Sequence, residues 1–303
     1  MTASAPHSSV YLNDLRDQWW NEDHLALLAQ RLELSRVQSL LDVGCGLGHW
    51  GRRWFARLAP AATLHGVDRE ATWVRGAADC FAQRFPDAVG RATYVEGSAY
   101  ELPFADNEFD AVTCQTVFIH LAHPERALAE MLRVVRPGGL VFCAEPNNYY
   151  NYLSVAERGA LRPPEELACV AEYWARCLRG RKALGAGDET IGSRLPALFA
   201  ATGLVDVCAA QTDRTVCIQP PYGDFDRAYL GWLRELRASG SGPWDPDKMR
   251  VRVRAGGGDD ALVDRAFAIL HRWAADDEAR VDAGTYAATS AMAHFLVSGR
   301  KAE

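Results

Sequence analysis

The sequence predicts an α/β protein with a mainly parallel β-sheet and helices on both faces. Apolar runs of strand length alternate with helix-length periodic stretches from residue 39 to about residue 143, which is typical of a parallel sheet covered by helices. The first run, residues 39–43, leads directly into glycines at positions 44, 46 and 48. Glycine tolerates positive φ and has no side chain, so these residues predict a sharp turn from strand to helix that can approach a ligand closely.

The predicted elements follow in order along the chain. Strands are expected at residues 39–43, 63–68, 92–96, 109–114, 140–144, 205–218 and 293–299. Helices between them are expected near residues 48–58, 70–85, 124–135 and 192–202. The stretch Arg136-Pro-Gly-Gly139 is expected to end the third of these helices, because proline cannot continue a helix and paired glycines favour a turn.

Two long stretches do not fit this alternation and are interpreted as insertions. They span residues 147–188 and 219–287, and they contain helical patterns at 165–178 and 259–281. Both leave the sheet at the carboxyl ends of the strands, the edge at which open parallel sheets bind ligands. We therefore expect an N-terminal helical segment at 1–36, a core of 37–146, 189–218 and 288–303, and a helical cap from 147–188 and 219–287.

Composition and charge narrow the class of partner. The formal net charge of −6 and the pI near 5.8 argue against nucleic acid, which is bound through clustered Lys and Arg. The start of the chain lacks a signal peptide and no stretch approaches the roughly 18 apolar residues of a membrane span, so a small-molecule partner and a cytoplasmic location are expected. These features leave the oligomeric state open. None of the eight cysteines forms Cys-x-x-Cys, which favours buried, reduced thiols over disulfides or a metal site.

A carboxylate at the end of the second strand indicates the kind of ligand. Asp68 closes the run 63–68 and follows the glycine turn at a distance that fits one helix and one strand. An acidic side chain at this place is positioned to accept hydrogen bonds from both hydroxyls of a ribose. The turn and Asp68 together predict a site for an adenosine-containing cofactor.

These residues and further segments resemble the class I S-adenosylmethionine-dependent methyltransferases, in the UbiE-like group that acts on small molecules. The family's acidic-x-Gly-x-Gly-x-Gly turn matches Asp42-Val-Gly44-Cys-Gly46-Leu-Gly48, and its acidic residue on the second strand matches Asp68. Phe109-Asp-Ala-Val112 and Val135-Arg-Pro-Gly-Gly139 match the fourth strand and the turn before the fifth. The resemblance implies a Rossmann-like, seven-stranded methyltransferase sheet and S-adenosyl-L-methionine as the cofactor.

The segment after the third strand departs from the family pattern. The family often has Gly-Asp-Ala and then Leu-Pro-Phe, whereas this chain has Gly97-Ser98-Ala99 and Leu102-Pro-Phe104. Ser98 therefore offers the adenine amine an uncharged acceptor, which is weaker than a carboxylate, while the backbone of Ala99 can still pair with the ring. The residues expected to contact the cofactor are Asp42, Gly44, Gly46, Gly48, Asp68, Arg69, Ser98, Ala99, Gln115 and Trp20.

Trp20 is assigned to the cofactor cleft on different grounds. Trp19 and Trp20 are adjacent, so they cannot both face a core from one helix. At least one of them is then available to the ligand, and ordinary packing is the alternative.

Two literal motif matches point elsewhere. Gly46-Leu-Gly-His-Trp-Gly51 fits the dinucleotide pattern of NAD-dependent oxidoreductases, but that pattern should begin directly after the strand, where this chain has Asp42-Val-Gly44. Gln219-Pro-Pro-Tyr222 resembles the loop with which nucleic-acid amino methyltransferases hold a planar amine, but it follows the sixth strand and not the fourth. A dehydrogenase is therefore a distant alternative.

Three residues are predicted to take part in catalysis. A sulfonium methyl group is already activated for displacement, so a base is needed only where the acceptor must lose a proton. His120 follows the fourth strand at the cofactor edge and is the candidate general base. Glu145 and Tyr149 lie at and after the end of the fifth strand, where they could orient a substrate; the alternative is that such groups satisfy the backbone where strand becomes loop.

The predicted function is transfer of a methyl group from S-adenosyl-L-methionine to a small-molecule metabolite held under the helical cap. A transferase that moves a different group, such as aminopropyl, and a non-catalytic cofactor-binding module are the alternatives on the same fold. No grouping of His, Cys and carboxylate residues has the spacing of a metal site.

Overall fold

The structure is a computed structural model that describes residues 19–156 and 160–303. The strands in these ranges are β1 (Ser39–Val43), β2 (Thr63–Asp68), β3 (Ala92–Glu96), β4 (Phe109–Gln115), β5 (Val135–Pro146), β6 (Leu204–Gln211), β7 (Thr215–Ile218), β8 (Ala288–Ala291) and β9 (His294–Lys301). The helices are α1 (Glu22–Arg31), α2 (His49–Phe55), α3 (Ala71–Arg84), α4 (Pro124–Val134), α5 (Asn148–Ala156), α6 (Pro164–Ala183), α7 (Leu195–Ala201), α8 (Asp224–Ala238), α9 (Pro246–Ala255) and α10 (Asp260–Asp282). The bounds of β1, β2 and β3 are those predicted. Residues 1–18 of the predicted N-terminal segment lie outside the described residues.

Seven of the described strands form one sheet, in the order β3-β2-β1-β4-β5-β9-β6. β1 to β5 pair in parallel, whereas β9 is antiparallel to both β5 and β6. The chain winds from β1 outward to β3 and then returns to continue on the other side with β4. The loops after β1 and β4 therefore diverge and leave a crevice at the carboxyl ends of these strands, the place where open α/β sheets bind ligands.

Helices cover both faces of the sheet, as the alternation of strands and helices predicts. On one face Leu40 lies in a core with Trp50 and Trp54 of α2, to which α1 and α3 also contribute. On the other face Leu41 and Val43 pack with residues of α4 and α7. Alternate residues of a strand point to opposite faces, so the residue between Leu41 and Val43 faces α2.

β4 and β9 differ from the predicted bounds by one or two residues, and two other predicted strands differ more. The run 205–218 is two strands, because the chain turns out of the sheet at Thr212, whose hydroxyl donates to the carbonyl oxygen of Trp19 at 2.8 Å. β7 then pairs with β8 in a separate two-stranded sheet. β5 begins at Val135 and not at residue 140, because Val135 pairs with Phe109 across a shift in register that takes up the Pro-Gly-Gly segment.

The two insertions fold as helices with a hydrophobic cluster of their own. Buried side chains of α6, α9 and α10 form this cluster, and residues of α5 pack against it. Its largest buried members are the aromatic residues Tyr173, Trp174 and Trp273. We call α5, α6, α9 and α10 the insertion helices.

Helices α6 and α9 cross with their backbones in contact. A Cβ atom on Gly180 would lie 1.6 Å from the carbonyl oxygen of Arg252, and one on Gly256 would lie 2.0 Å from that of Arg176. No side chain fits at such distances, so glycine is required at both positions. The crossing holds the two insertions together.

Candidate functional site

The turn between β1 and α2 lies where the strand order reverses. Gly44, Gly46 and Gly48 have φ angles of +65°, +52° and +74°, which L side chains rarely adopt. A Cβ atom on Gly44 would lie 2.5 Å from Cγ2 of Val117, so the turn packs directly against the segment that follows β4. Conformation requires glycine at all three positions, and space requires it at Gly44.

Asp42 anchors this turn from inside the core. It is buried on the α2 face, and its Oδ2 accepts a hydrogen bond from the N–H of Gly51 at 2.9 Å. A carboxylate near the first turn of a helix is also favoured by the helix dipole. Asp42 therefore fixes the start of α2 relative to β1. This contact gives it a way to support a ligand through the position of the turn.

Asp68 joins the end of β2 to the same turn. Its Oδ2 accepts the N–H of Gly46 at 2.9 Å and its Oδ1 accepts the N–H of Glu70 at 3.0 Å. A carboxylate has about four lone-pair positions, so each oxygen has capacity for another donor. The neighbouring Arg69 is exposed, and its Nε lies 3.5 Å from a Glu70 carboxylate oxygen. Of these two predicted cofactor residues, Asp68 is the one tied to the glycine turn.

The end of β3 lies beside Asp68. The N–H of Gly97 donates to the carbonyl oxygen of Asp68 at 3.0 Å. Ser98 is exposed, and its hydroxyl oxygen accepts the N–H of Tyr100 at 3.1 Å. Ala99 packs at the edge of the core on the α4 face. The structure thus brings Ser98 and Ala99 to the same edge of the sheet as the glycine turn.

A buried carboxylate holds the segment after β4. Glu145 is fully buried and accepts the N–H groups of Val117, Phe118 and Ile119 at 2.8, 3.0 and 3.2 Å. Burial raises the pKa of this carboxyl to about 7, although the three N–H donors act in the opposite direction. Both of its oxygens accept backbone N–H groups where strand becomes loop, which favours the stated alternative, while a part in orienting a substrate stays a prediction.

A buried arginine on α6 contacts the predicted base. Nδ1 of His120 lies 3.0 Å from Nη2 of Arg181. Nη2 of Arg181 also donates to the carbonyl oxygen of Ile119 at 3.2 Å. Arg181 also forms an ion pair with Glu189 and donates from Nε to the carbonyl oxygen of Ala186 at 2.9 Å. His120 is therefore positioned by a charged group from the first insertion.

The sequence contains a signal for Arg181 that the predictions missed. The buried positions of α6 include Val170, Tyr173, Cys177 and Arg181, spaced by three or four residues. Such spacing marks the apolar stripe of a helix. Charged residues are almost never buried without a partner, so an arginine on that stripe indicates a buried ion pair.

Three other predicted residues occupy different surroundings. Trp20 is 3% exposed and its ring centroid lies 5.5 Å from that of Trp50, so ordinary packing accounts for its position. Tyr149 is partly buried and packs against the cluster of the insertion helices. Gln115 is buried at the end of β4, one residue before the left-handed Thr116. Gln115 alone of these three lies at the strand end that borders the crevice.

Within residues 19–156 and 160–303 no group of three or more His, Cys, Asp and Glu residues is arranged to hold a metal ion, and no helix is long and apolar enough to cross a bilayer. The eight cysteines are free thiols. The expectation that they are buried is wrong for Cys208 and Cys217, which are exposed on β6 and β7.

Comparison with known proteins identifies the domain that contains this site. Residues 41–143 match the family model described as a methyltransferase domain. The chain is 33% identical over 115 residues to an uncharacterised methyltransferase of Schizosaccharomyces pombe, covering 37% of this chain and 41% of that protein. It is 32% identical over 133 residues to a demethylmenaquinone methyltransferase of Symbiobacterium thermophilum, covering 44% and 51%. The chain spans about half the length of these curated relatives.

A solved structure shares the fold of this chain. The YcgJ protein of Bacillus subtilis matches with a TM-score of 0.51 at 21% identity, covering 93% of this chain and 100% of that one. The likeness at this identity concerns the fold alone. The domain match and the sheet order together identify residues 41–143 as a methyltransferase domain of the S-adenosylmethionine-dependent class.

Proposed function

We propose that the protein transfers a methyl group from S-adenosyl-L-methionine to a small-molecule acceptor held beneath the insertion helices. The junction between the glycine turn and Asp68 carries this proposal. There the N–H of Gly46 donates to Asp68, in a turn in which Gly44, Gly46 and Gly48 all have positive φ. At this junction a ligand can approach the backbone of the turn closely while its ribose lies next to a carboxylate, which fits a nucleoside with a charged tail.

The residues at this junction fit the cofactor. A Cβ atom on Gly48 would lie 3.2 Å from both Nη1 of Arg52 and the hydroxyl of Tyr94, so its absence keeps the turn open. Asp68 would accept the ribose hydroxyls, and Ser98 with the backbone of Ala99 would meet the adenine. When bound, S-adenosylmethionine supplies an electrophilic methyl group on a positively charged sulfur.

The protein's own part is to position the acceptor and exclude water. An acceptor held in line with the methyl carbon would form the new bond with its lone pair as the carbon–sulfur bond breaks toward sulfur. Holding two reactants in line can lower the barrier by about 7–11 kcal/mol. The return from the first insertion lies at the required edge, since a Cβ atom on Gly192 would be 2.2 Å from the carbonyl oxygen of Glu145 at the end of β5.

The acceptor is proposed to be a small metabolite in the cytoplasm, with no nucleic-acid or membrane partner. The net charge of −6 supports this choice because it opposes binding to phosphate backbones. The relative from Symbiobacterium thermophilum is named for demethylmenaquinone, so the reduced quinol form of a demethylated quinone, which can supply an electron pair, is a suitable first compound to test.

Calorimetry with S-adenosylhomocysteine tests the cofactor assignment. The wild type should bind it, and Asp68→Ala should weaken binding by about 1.5–3 kcal/mol, the loss expected for hydrogen bonds to a charged group. Asp79→Ala removes an exposed carboxylate on α3 and should leave the affinity unchanged. Equal affinity in wild type and Asp68→Ala would remove the ribose assignment, and binding of NAD without S-adenosylhomocysteine would overturn the proposed function.

A labelled-methyl assay tests the transfer itself. Tritium from the methyl group of S-adenosylmethionine should appear in the small-molecule fraction of a cell extract when the protein is added. Cofactor binding without transfer to any acceptor would favour the non-catalytic module. Formation of methylthioadenosine from decarboxylated S-adenosylmethionine, with transfer of its aminopropyl group to an acceptor, would favour the other transferase class.

A further inference from the structure

Two buried charges of opposite sign hold the turn that carries His120. Glu145 accepts N–H groups on one side of the turn, whereas Arg181 donates to the carbonyl oxygen of Ile119 and to Nδ1 of His120 on the other. The first insertion returns directly over this backbone, since a Cβ atom on Gly187 would lie 2.2 Å from the carbonyl oxygen of Ile119. The position of His120 is therefore set jointly by the sheet and by the insertion.

Arg181 is itself held in place by its neighbours. Arg181 and Glu189 are 9% and 7% exposed and form an ion pair. Nη1 of Arg252 on α9 lies 3.8 Å from the same Glu189 oxygen, and Tyr152 donates its hydroxyl to the other oxygen at 3.3 Å. Buried charges in such a network keep a defined arrangement, because an unpaired charge there is costly. The guanidinium accordingly presents a fixed donor to His120.

The contact with Arg181 determines which nitrogen of His120 can carry a proton. A guanidinium has only donors, so Nδ1 of His120 must supply the lone pair in the bond between them. A neutral imidazole has one N–H, which then lies on Nε2. If Nε2 were to act as a base, the proton would have to sit on Nδ1 and face the N–H of Arg181.

We propose that Arg181 is a positioning residue that holds His120 as the Nε2–H tautomer, so that His120 does not serve as the general base of methyl transfer. The catalytic part of this inference rests on the proposed function, whereas the tautomer does not. The acceptor must then have a lone pair that is available without deprotonation by His120, as an amine, a thiolate or an ionised oxygen does. Any remaining proton leaves to water after the new bond forms.

Nitrogen NMR of the full chain labelled with ¹⁵N-histidine tests the tautomer directly, without any methyl transfer. His120→Gln identifies the His120 signals by their loss. In the wild type at pH 7.5, Nδ1 should resonate as an unprotonated ring nitrogen and Nε2 as an N–H. A proton on Nδ1, or equal sharing between the two nitrogens, would overturn the proposal.

Three variants separate the effect of Arg181 from general packing. Arg181→Met should move both nitrogen signals toward the average of the two tautomers, whereas Arg181→Lys retains a cationic donor and should resemble the wild type. Arg179→Met removes an exposed arginine from the same helix and should change neither signal. An unchanged His120 spectrum in folded Arg181→Met would overturn the proposal. If that variant does not fold, the wild-type spectrum decides alone.

An activity assay tests the catalytic consequence once an acceptor is known. General bases contribute about 10²- to 10⁴-fold to rate, so loss of a hydrogen-bonding His120 in His120→Ala should lower kcat by less than about 10²-fold. A larger loss that is accompanied by a wild-type nitrogen spectrum with Nδ1–H would show that His120 is the base. Absence of any cofactor binding would instead remove the proposed function and leave the tautomer measurement valid.

Discussion

The two halves of the crevice are built by different means. The half formed by the ends of β1, β2 and β3 depends on backbone conformation and short-range hydrogen bonds, as between Gly46 and Asp68. The half formed after β4 and β5 depends on buried charges, with Glu145 and Arg181 on opposite sides of one turn. The first half is formed within the sheet core alone, whereas the second joins Glu145 of β5 to Arg181 of the first insertion. The difference shows that one crevice can combine a side set by backbone conformation with a side set by long-range side-chain contacts.

Removal of Arg181 should lower the free energy of unfolding by the largest amount, because the half of the crevice after β4 and β5 depends on this residue. Arg181→Met leaves Glu189 buried beside Arg252 at 3.8 Å, and the free energy of unfolding should fall by about 3–5 kcal/mol, as when one partner of a buried ion pair is removed. Urea denaturation measures the change, with Arg179→Met as the exposed control. The double variant Arg181→Met/Glu189→Leu should recover part of the loss. A double variant no more stable than the single one would show that packing, and not charge, holds this half together.

Titration of Glu145, in the half of the crevice after β4 and β5, should change the free energy of unfolding with pH by a smaller amount. The pKa of Glu145 is raised by burial from 4.5 to about 7 in the folded protein, so its contribution favours folding at low pH and is lost as pH rises through 7. Between pH 5 and pH 8 the wild type should lose about 2–3 kcal/mol relative to Glu145→Gln, given about 1.4 kcal/mol for each unit of pKa difference. Thermal and urea unfolding across this range check the prediction. Glu235→Gln, at an exposed position on α8, should follow the wild type, and parallel curves for all three proteins would contradict it.

A substitution in the glycine turn after β1 should cause the smallest change in the free energy of unfolding. Gly44→Ala places a side chain at φ +65°, which costs about 1–2 kcal/mol, and its Cβ atom would lie 2.5 Å from Val117. The free energy of unfolding should fall by at least that amount, and S-adenosylhomocysteine should bind more weakly. Gly90→Ala is the matched control, because a Cβ atom there meets nothing within 4 Å. Equal effects at the two glycines would contradict the assignment of strain to the turn.

The same division explains what the sequence could predict. The bounds of β1, β2 and β3, the tight turn and the position of Asp68 all follow from signals that are adjacent along the chain. Apolar strand runs, glycine spacing and an acidic residue at a strand end need no knowledge of distant partners. The prediction therefore succeeds for the fold and for the geometry of the cofactor side, while the contacts with the cofactor itself stay predictions.

Local sequence patterns are insufficient where distant residues decide the outcome. Glu145 bonds to a segment 26 to 28 residues away, and Arg181 bonds to His120 across 61 residues, so neither role is visible locally. The single strand expected at 205–218 is divided because Thr212 bonds to Trp19, 193 residues distant. In each case a polar side chain finds a tertiary partner that overrides the local pattern.

The crossing of α6 and α9 through Gly180 has a consequence for the chemistry at a distance. Gly180 precedes Arg181 in the chain and contacts the backbone of Arg252. The absence of a side chain at Gly180 therefore sets the spacing between the two arginines that lie near Glu189. A single added methyl group at position 180 would wedge the helices apart and loosen the grip of that shared carboxylate. A residue without a side chain thereby sets the position of the guanidinium that contacts His120.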